Sequence, residues 1–222
     1  KIWKTYFFKG IKTRIGNMSF KIDYDNQPRK FLKNQDKETI KRLTENMPIE
    51  NIFLVTTKSQ FSSLKPYVAG LKKENIILEP FGKDTAPAIC LSAFILEIRL
   101  GDSTMVVLPA DHIIKNTKAF FKDLIFAGKI AESGPNLLTI GIKPRYASVG
   151  YGYIETGKKM RGYCAVKRFI EKPKKAKAER LYKNKNYLWN SGIFVWRASS
   201  ILNMIKKYMP DLYYSIEDTC RY

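Results

Sequence analysis

The sequence predicts an α/β protein in which helices cover a mainly parallel β-sheet. Short apolar segments bounded by turn residues alternate with longer segments whose apolar residues have helical spacing. Such alternation indicates β-α-β units, whose strands are parallel. The chain has 222 residues, of which 45% are hydrophobic, so it can bury a full core.

The first part of the chain supplies most of this alternation. Two amphipathic helices are predicted at Thr85–Leu100 and Thr117–Glu132, and Gly134-Pro135 ends the second one. The strands predicted around them are Asn51–Thr57, Asn75–Pro80, Ser103–Ala110 and Asn136–Ile142. Ligands of parallel sheets bind at the carboxyl ends of the strands, which directs attention to the residues that follow each strand.

The second part is richer in strands, and no linker separates it from the first. Helices are predicted at Lys174–Lys183 and at Ser199–Met209, where Pro210 ends the helix. The predicted strands are Tyr151–Gly157, Gly162–Glu171 and Trp189–Trp196. We therefore interpret residues 1–222 as one continuous domain.

Composition excludes some classes of protein and leaves one question open. The net charge is +20, but the lysines are spread along the chain, which favours a general compositional bias over a nucleic-acid or membrane surface. No recognised nucleic-acid motif is present, so no specific nucleic-acid partner is expected. No apolar stretch is long enough to span a membrane. Cys90, Cys164 and Cys220 lack metal-ligand spacing, which indicates a reduced, cytoplasmic setting.

Two segments follow predicted strands and are candidates for ligand binding. Asp111 comes after the strand Ser103–Ala110 and could hold a divalent metal, or could only cap the next element. His112, the single histidine, is more typical of a structural residue. In the segment 79–88, Asp84 or Thr85 could cap the following helix, with Pro87 in its first turn. The same small side chains and backbone amides would also leave room for a flat base.

Three further segments lie in the second part. Gly150 and Gly152 open a strand, where glycine allows a ligand to approach the backbone closely or forms a turn. Glu171 and Lys172 point to one ligand only if the strand ends there, and the following proline favours that ending. Asn190-Ser191-Gly192 precedes a predicted strand, and could cap a turn or bind sugar hydroxyls.

Taken in order, these segments resemble the mannose-1-phosphate guanylyltransferase family over about residues 50–210. The resemblance implies a Rossmann-like nucleotidyltransferase fold with a mixed sheet. It also implies attack of mannose 1-phosphate on the α-phosphorus of GTP with Mg²⁺, giving GDP-mannose and pyrophosphate. The matching segments are EPFGKDTAPAI at 79–89, LPADH at 108–112, LTIGIKPRYASVGYGYIE at 138–155, FIEKP at 169–173 and WNSGIF at 189–194.

The resemblance also implies a role for individual residues. Asp111 corresponds to the metal-binding aspartate, and Arg14, Asp111 and Lys172 to the catalytic residues. Gly152, Glu171, Lys172 and Asn190 correspond to contacts with the sugar phosphate. The nucleotide contacts correspond to Gly10, Thr13, Arg14, Arg29, Glu79, Lys83, Asp84, Thr85, Ala86 and Pro87. The partners are then GTP and mannose 1-phosphate, with no membrane, and a homo-oligomer is compatible with the sequence.

The chain departs from the family pattern around the triphosphate. The segment Lys9–Ser19 lies where the family has a glycine-rich loop after its first strand, but Lys9 and Lys12 replace glycines. A side chain there should obstruct backbone amides that would wrap the phosphates. Arg29 replaces a lysine, and Lys83-Asp84 replaces Arg-Asn. The family's later S-D-x-G-x-W segment, with its second metal ligand, does not occur, so we expect a chain truncated at its carboxyl end.

Three hypotheses remain open from the sequence. The chain is an enzyme that makes GDP-mannose, or the main part of one. Alternatively, it is a catalytically impaired homologue or fragment that binds a sugar nucleotide or an active subunit. The third hypothesis, a basic nucleic-acid-binding protein, rests on the net charge alone.

Overall fold

The computed structural model describes residues 3–6, 18–23, 38–68, 70–79, 85–110 and 112–221. The strands are β1 (Trp3–Tyr6), β2 (Met18–Asp23), β3 (Ile52–Thr57), β4 (Ile76–Glu79), β5 (Thr104–Pro109), β6 (Leu138–Ile142), β7 (Tyr153–Met160), β8 (Tyr163–Ile170) and β9 (Tyr187–Arg197). The helices are α1 (38–44), α2 (Lys58–Leu64), α3 (Thr85–Leu100), α4 (Thr117–Ala131), α5 (Lys175–Lys183), α6 (Ala198–Tyr208) and α7 (Pro210–Arg221). The structure thus confirms the predicted alternation of strands and helices.

The strands form one mixed sheet in the order β1-β6-β9-β5-β2-β3-β4, with β7 joined to β9 and β8 joined to β7. Strands β4, β3, β2 and β5 are parallel to their neighbours in this series. The pairs that involve β1, β6, β7, β8 or β9 are antiparallel. The sheet is therefore mixed, as predicted, and among the described residues its parallel pairs involve only β2, β3, β4 and β5. Antiparallel strands need no crossover helix, and the β7–β8 hairpin turns at Gly162 with φ 92°.

The central parallel strand is not the one that the glycine-rich-loop comparison implied. Met18–Asp23 pairs with both β3 and β5, so this segment is an interior strand and Ser19 lies within it rather than in a loop. The strand that precedes Lys9 is β1, which pairs antiparallel with β6 at the other end of the sheet. The carboxyl end of the central strand is therefore at Asp23, and Lys9 and Lys12 lie outside the described residues.

Strand β9 connects the two parts of the sheet. Its Tyr187–Trp189 end pairs with β7, and its Phe194–Arg197 end pairs with β5. Between them the register against β6 shifts, and Gly192 has φ 71°. The predicted strand Trp189–Trp196 is therefore confirmed as part of β9. Asn190-Ser191-Gly192 lies within this strand and not before it, at an irregularity that glycine permits.

Helices cover both faces of the sheet, as the period of two in its strands requires. On β3, Leu54 faces the cluster formed with α1, α2 and α4, whereas Phe53 and Val55 face the cluster formed with α3 and α6. Burying an aliphatic side chain of this kind contributes about 1.5–3 kcal/mol. A third cluster forms where α5 packs on β7, β8 and β9.

Helix α7 was missing from the sequence prediction. Pro210 was expected to end α6 and does so, but it also starts a further helix, because proline is well tolerated in a first helical turn. Tyr213 of this helix packs on Phe94 of α3, with ring centroids 5.0 Å apart. None of the helices in the described residues is long and apolar enough to cross a membrane.

Candidate functional site

The carboxyl ends of the parallel strands lie along one edge of the sheet. Register pairs Thr57 with Glu79 and Asp23 with Pro109, so these strands end side by side. Since β4 and β5 are three strand spacings apart, Glu79 and Pro109 lie roughly 14 Å from each other. The segments 80–84 and Ala110–His112 both leave from this edge, where open α/β sheets bind ligands.

The segment that contains Asp111 is braced by α1. Buried Thr39 donates a hydrogen bond from Oγ1 to the carbonyl of Ala110, at 3.0 Å. Arg42 donates to Thr39 Oγ1 at 2.8 Å and to the carbonyl of His112 at 3.3 Å. The residues on both sides of Asp111 are therefore fixed to one helix by a pair of side chains.

Arg42 is itself partly removed from water. Burial lowers the pKa of its guanidinium, and the nearby carboxylate of Glu38 acts in the opposite direction. Its Nε is buried and has no hydrogen-bond partner in the described part of the chain. A lowered arginine pKa still leaves the group charged at neutral pH, so α1 places a positive charge behind the Ala110–His112 segment.

Gly152, Glu171 and Asn190 come together although they are far apart in the sequence. A Cβ placed on Gly152 would lie 3.1 Å from Glu171 Oε2, 3.3 Å from Phe169 Cε1 and 3.6 Å from Asn190 Cβ. The backbone N–H of Asn190 donates to the carbonyl of Gly152 at 2.8 Å. Three of the predicted sugar contacts thus form one group, in which the absence of a side chain at Gly152 lets Glu171 and Asn190 pack closely against its backbone.

Among the described residues, the side chain of Asn190 is held through its oxygen. Its Oδ1 accepts hydrogen bonds from Thr139 Oγ1 at 2.8 Å and from the backbone N–H of Gly192 at 3.2 Å. Because the oxygen has these partners, the Nδ2 group is oriented as the end that can donate to a ligand.

Glu171 and Lys172 lie just beyond the end of β8, as the following Pro173 predicted. Their side chains are exposed, with Lys172 Nζ 3.9 Å from Glu171 Oε1. Lys172 has φ 26°, a backbone conformation that non-glycine residues seldom adopt. The turn aims neighbouring side chains of opposite charge outward, where a regular strand would place them on opposite faces.

The Asp111 segment and the sugar-side group belong to the same edge of the sheet. Strand β9 runs antiparallel to β5, so its first half passes the carboxyl end of that strand. A Cβ on Gly192 would lie 3.2 Å from Cγ of Pro109. Asn190 is therefore only a few residues along β9 from a direct contact with the strand that leads to Asp111.

A second carboxylate of this region, Glu155, has a different environment. It accepts bonds from Lys167 Nζ at 2.9 Å, from Tyr187 Oη at 2.9 Å and from Arg168 at 2.8 and 3.0 Å. The Lys167 contact, then that of Tyr187, and to a smaller degree that of Arg168, lower its pKa to about 2 against the effect of burial. Its oxygens are occupied, so Glu155 connects β7, β8 and β9 and is not available to a ligand.

The structure describes only the flank of the predicted nucleotide loop. Glu79 ends β4, and Thr85, Ala86 and Pro87 form the first turn of α3, with Thr85 exposed and the other two half-buried. The other predicted contacts lie outside the described residues: Gly10, Thr13, Arg14, Arg29, Lys83, Asp84 and Asp111. Within the described residues, no three or more His, Cys, Asp or Glu side chains form a group suited to a metal ion.

Sequence reasoning missed the residues that position the others. Thr39, Arg42 and Thr139 contact candidate residues through bonds to partners 51 to 71 positions away. Ser148 shapes the turn before Gly152, because its carbonyl accepts from Tyr153 Oη and its Oγ accepts from the N–H of Gly150. No local pattern marks such residues, since their partners are distant in the chain.

The candidate residues thus lie along the carboxyl edge of an open α/β sheet, where proteins of this class bind their ligands. The profile of the nucleotidyl transferase family matches residues 26–222. The chain belongs to this family.

Individual relatives are consistent with this assignment. The chain is 42% identical over 152 residues to the xanthan biosynthesis protein XanB of Xanthomonas campestris pv. campestris, covering 68% of this chain and 31% of XanB. It is 36% identical over 213 residues to a mannose-1-phosphate guanylyltransferase of Salmonella muenchen, covering 92% of this chain and 45% of the relative. It thus spans less than half the length of both proteins.

A solved structure shares the fold. The crystal structure of a mannose-1-phosphate geranyltransferase from Thermus thermophilus superimposes with a TM-score of 0.80 at 24% identity. The match covers 92% of this chain and 64% of that chain. The predicted α/β nucleotidyltransferase fold is thereby confirmed.

Proposed function

We propose that this chain is the nucleotide- and sugar-phosphate-binding part of an enzyme that transfers GMP from GTP to mannose 1-phosphate. The products are GDP-mannose and pyrophosphate. The observation that carries the proposal is the group formed by Gly152, Glu171 and Asn190, at the same sheet edge as the segment that holds Asp111. A 36% identical relative named mannose-1-phosphate guanylyltransferase, aligned over most of the chain, supports the choice of substrates.

The described residues have distinct parts in this reaction. The exposed carboxylate of Glu171 accepts hydrogen bonds from sugar hydroxyls, and the Nδ2 group of Asn190 donates one. Gly152 has no side chain, so the Glu171 carboxylate lies close to its backbone, and the sugar ring binds against this group. Lys172 attracts the phosphate of mannose 1-phosphate and turns one of its oxygens towards the α-phosphorus of GTP. Phosphoryl transfer depends mainly on such positioning and on cations near the phosphates.

The remaining roles fall on residues outside the described part of the chain. The segment 79–87 would hold the guanine base, and Gly10, Thr13, Arg14 and Arg29 the triphosphate. Asp111 would hold Mg²⁺, which suits a carboxylate next to phosphates because the ion takes one or two carboxylates and retains waters. When bound, Mg²⁺ neutralises charge on the phosphates. Three cysteines without disulfides agree with a cytoplasmic setting, which we include in the proposal.

Product formation tests this proposal directly. The chain is incubated with GTP, mannose 1-phosphate and Mg²⁺, and GDP-mannose and pyrophosphate are quantified. We expect Glu171→Gln to reduce kcat/KM by about 10- to 100-fold, because a hydrogen bond to a charged group contributes about 1.5–3 kcal/mol. Glu179→Gln, an equal change on the exposed face of α5, should leave the rate unaltered. A folded chain that forms no GDP-mannose contradicts the proposal.

A second candidate is a chain that binds the sugar nucleotide without turnover. The lysines at positions 9 and 12, where the family has glycines, favour it. Titration with GDP-mannose separates the two candidates: saturable binding that Glu171→Gln weakens, with no product from GTP, supports the impaired homologue. If Lys9→Gly with Lys12→Gly then restores product formation, the phosphate loop is the cause of the impairment.

A further inference from the structure

A cavity that shares Glu171 with the proposed sugar group lies beside the turn that carries Glu171 and Lys172. It has a volume of about 690 Å³ and opens between this turn and α5. We call it the α5 cavity. Its walls are formed by Ile170, Glu171, Pro173, Lys174, Ala176, Lys177, Arg180 and Leu181. None of the residues that α5 contributes has a part in the proposed transfer reaction.

Three cations of this cavity lack a counter-charge in the described structure. Lys174, Lys177 and Arg180 are exposed, and none of them forms a salt bridge with a described carboxylate. Their spacing of three residues places them on neighbouring positions of one helical face. Lys167 and Arg168 of β8, by contrast, are both paired with Glu155. The α5 cavity therefore contains three positive charges that form no ion pair with a described carboxylate.

The start of α5 adds to this preference for negative charge. Lys174 precedes the helix without a capping side-chain hydrogen bond, and the first turn has no acidic residue. A capping side chain and an acidic residue are what helices commonly use to satisfy their first N–H groups and to balance the positive end of the helix dipole. Helix α5 has neither. Ala176, in that first turn, is part of the cavity wall, so a bound anion would lie near these groups.

The carboxylate of Glu171 does not cancel this charge. Its Oε2 is directed towards Gly152, and its Oε1 lies 3.9 Å from Lys172 Nζ. The segment 171–185 as a whole contains seven basic and two acidic side chains. The electrostatic potential in the cavity is therefore positive.

We propose that the α5 cavity binds a small anion with two or more phosphate groups. Three cations match such a ligand better than a single carboxylate, since a chain of phosphate groups carries several negative charges. The volume lies in the range of about 300–1,000 Å³ that is typical of small-molecule sites. A concave cavity of this size differs from the extended basic surface that nucleic-acid strands require.

Binding of inorganic tripolyphosphate, measured by isothermal titration calorimetry at low salt, tests the proposal. We expect saturable binding with a Kd below about 1 mM. In the double variant Lys177→Gln with Arg180→Gln, the Kd should rise at least about tenfold, because two of the three cations that contact phosphate are lost. Circular dichroism establishes that the variant is folded.

The matched control removes two charges outside the cavity. Lys183→Gln with Lys185→Gln lowers the net charge equally and should change the Kd by less than about twofold. An equal loss in both variants, or none in the first, overturns the proposal, because binding is then diffuse or lies elsewhere. A single-stranded oligonucleotide that binds more tightly than tripolyphosphate, and is weakened equally by both pairs, also overturns it in favour of a nucleic-acid surface.

Discussion

The antiparallel region of β7, β8 and β9 and the parallel region of β2 to β5 position their candidate residues by different means. In the antiparallel region, Gly152 and Asn190 are joined by a backbone hydrogen bond, and Glu171 lies one residue beyond a strand. In the parallel region, the candidates lie on segments that follow the strands, and Thr39 and Arg42 brace one such segment from α1. The arrangement in the antiparallel region depends on strand register and on the close packing that Gly152 permits. The arrangement in the parallel region depends on a few long-range hydrogen bonds.

The largest expected effect comes from adding a side chain at Gly152. A valine there would press on Glu171 Oε2, 3.1 Å from the new Cβ, and on Phe169. We expect kcat/KM for mannose 1-phosphate to fall about 100-fold, because displacement of a positioning group by about 1 Å has effects of this size. Steady-state kinetics measures it.

Gly157, within β7, offers a control five residues further along the chain. A Cβ at Gly157 would meet its nearest neighbour at 3.5 Å, an ordinary contact. Gly157→Ala should therefore leave the kinetics nearly unchanged. If Gly157→Ala lowers kcat/KM as much as Gly152→Val does, the loss is due to disturbance of β7 and not to the contact between position 152 and Glu171.

The brace of the parallel region is tested by Thr39→Val. Valine preserves the shape of threonine but leaves the carbonyl of Ala110 without its donor, which should lower the free energy of unfolding by about 1–3 kcal/mol. Urea denaturation measures this loss. Thr39→Ser retains the hydroxyl and should recover most of the stability, and an equal loss in both variants would assign the effect to packing.

A smaller effect is expected when Asn190 is replaced by alanine. The variant loses the donor proposed for a sugar hydroxyl, so the KM for mannose 1-phosphate should rise about tenfold, equivalent to about 1.4 kcal/mol. Thr139→Val removes only one of the two bonds to Asn190 Oδ1 and should raise the KM less. A KM that follows Thr139 but not Asn190 would argue against direct contact with the sugar.

The smallest change concerns pH and Glu155. Its pKa of about 2 in the folded chain lies below the ordinary value of 4.5. Its contribution to stability is thus fully present above about pH 4.5 and is lost as the pH falls through about 2. Between about pH 5 and about pH 3, the stability difference between the natural chain and Glu155→Gln should shrink, as urea denaturation at each pH would reveal. Curves that stay parallel would show that the ion pairs do not stabilise the fold.

Much of the fold could be predicted because its signals are local. The helix Thr85–Leu100 has the predicted bounds, and strands β3 to β6 agree with their predictions within two residues at each end. Apolar periodicity and turn residues suffice to predict such elements, since the apolar pattern within each segment indicates which of its faces is buried. The prediction failed where Pro210 both ends one helix and begins another, because one proline is compatible with either.

The candidate site was predictable as a list of residues but not as an arrangement. Motif order identified Gly152, Glu171 and Asn190, yet nothing local indicates that Glu171 Oε2 lies against Gly152 or that β9 becomes irregular at Gly192. The sequence does not distinguish the environment of Glu155 from that of Glu171. Only in the packed sheet do Lys167, Arg168 and Tyr187 surround Glu155.

By itself, the amino-acid sequence determined the order of the strands and helices from β3 to α6 except α2, the excess of positive charge and the family resemblance, because periodicity, composition and motif order are properties of the linear chain. The tertiary structure decided which strands are parallel, which carboxylate remains available and which helix braces the Ala110–His112 segment. These depend on contacts between residues up to 71 positions apart, such as Thr39 with Ala110. Such contacts form only when the whole sheet buries its faces, so no short segment of the chain encodes them.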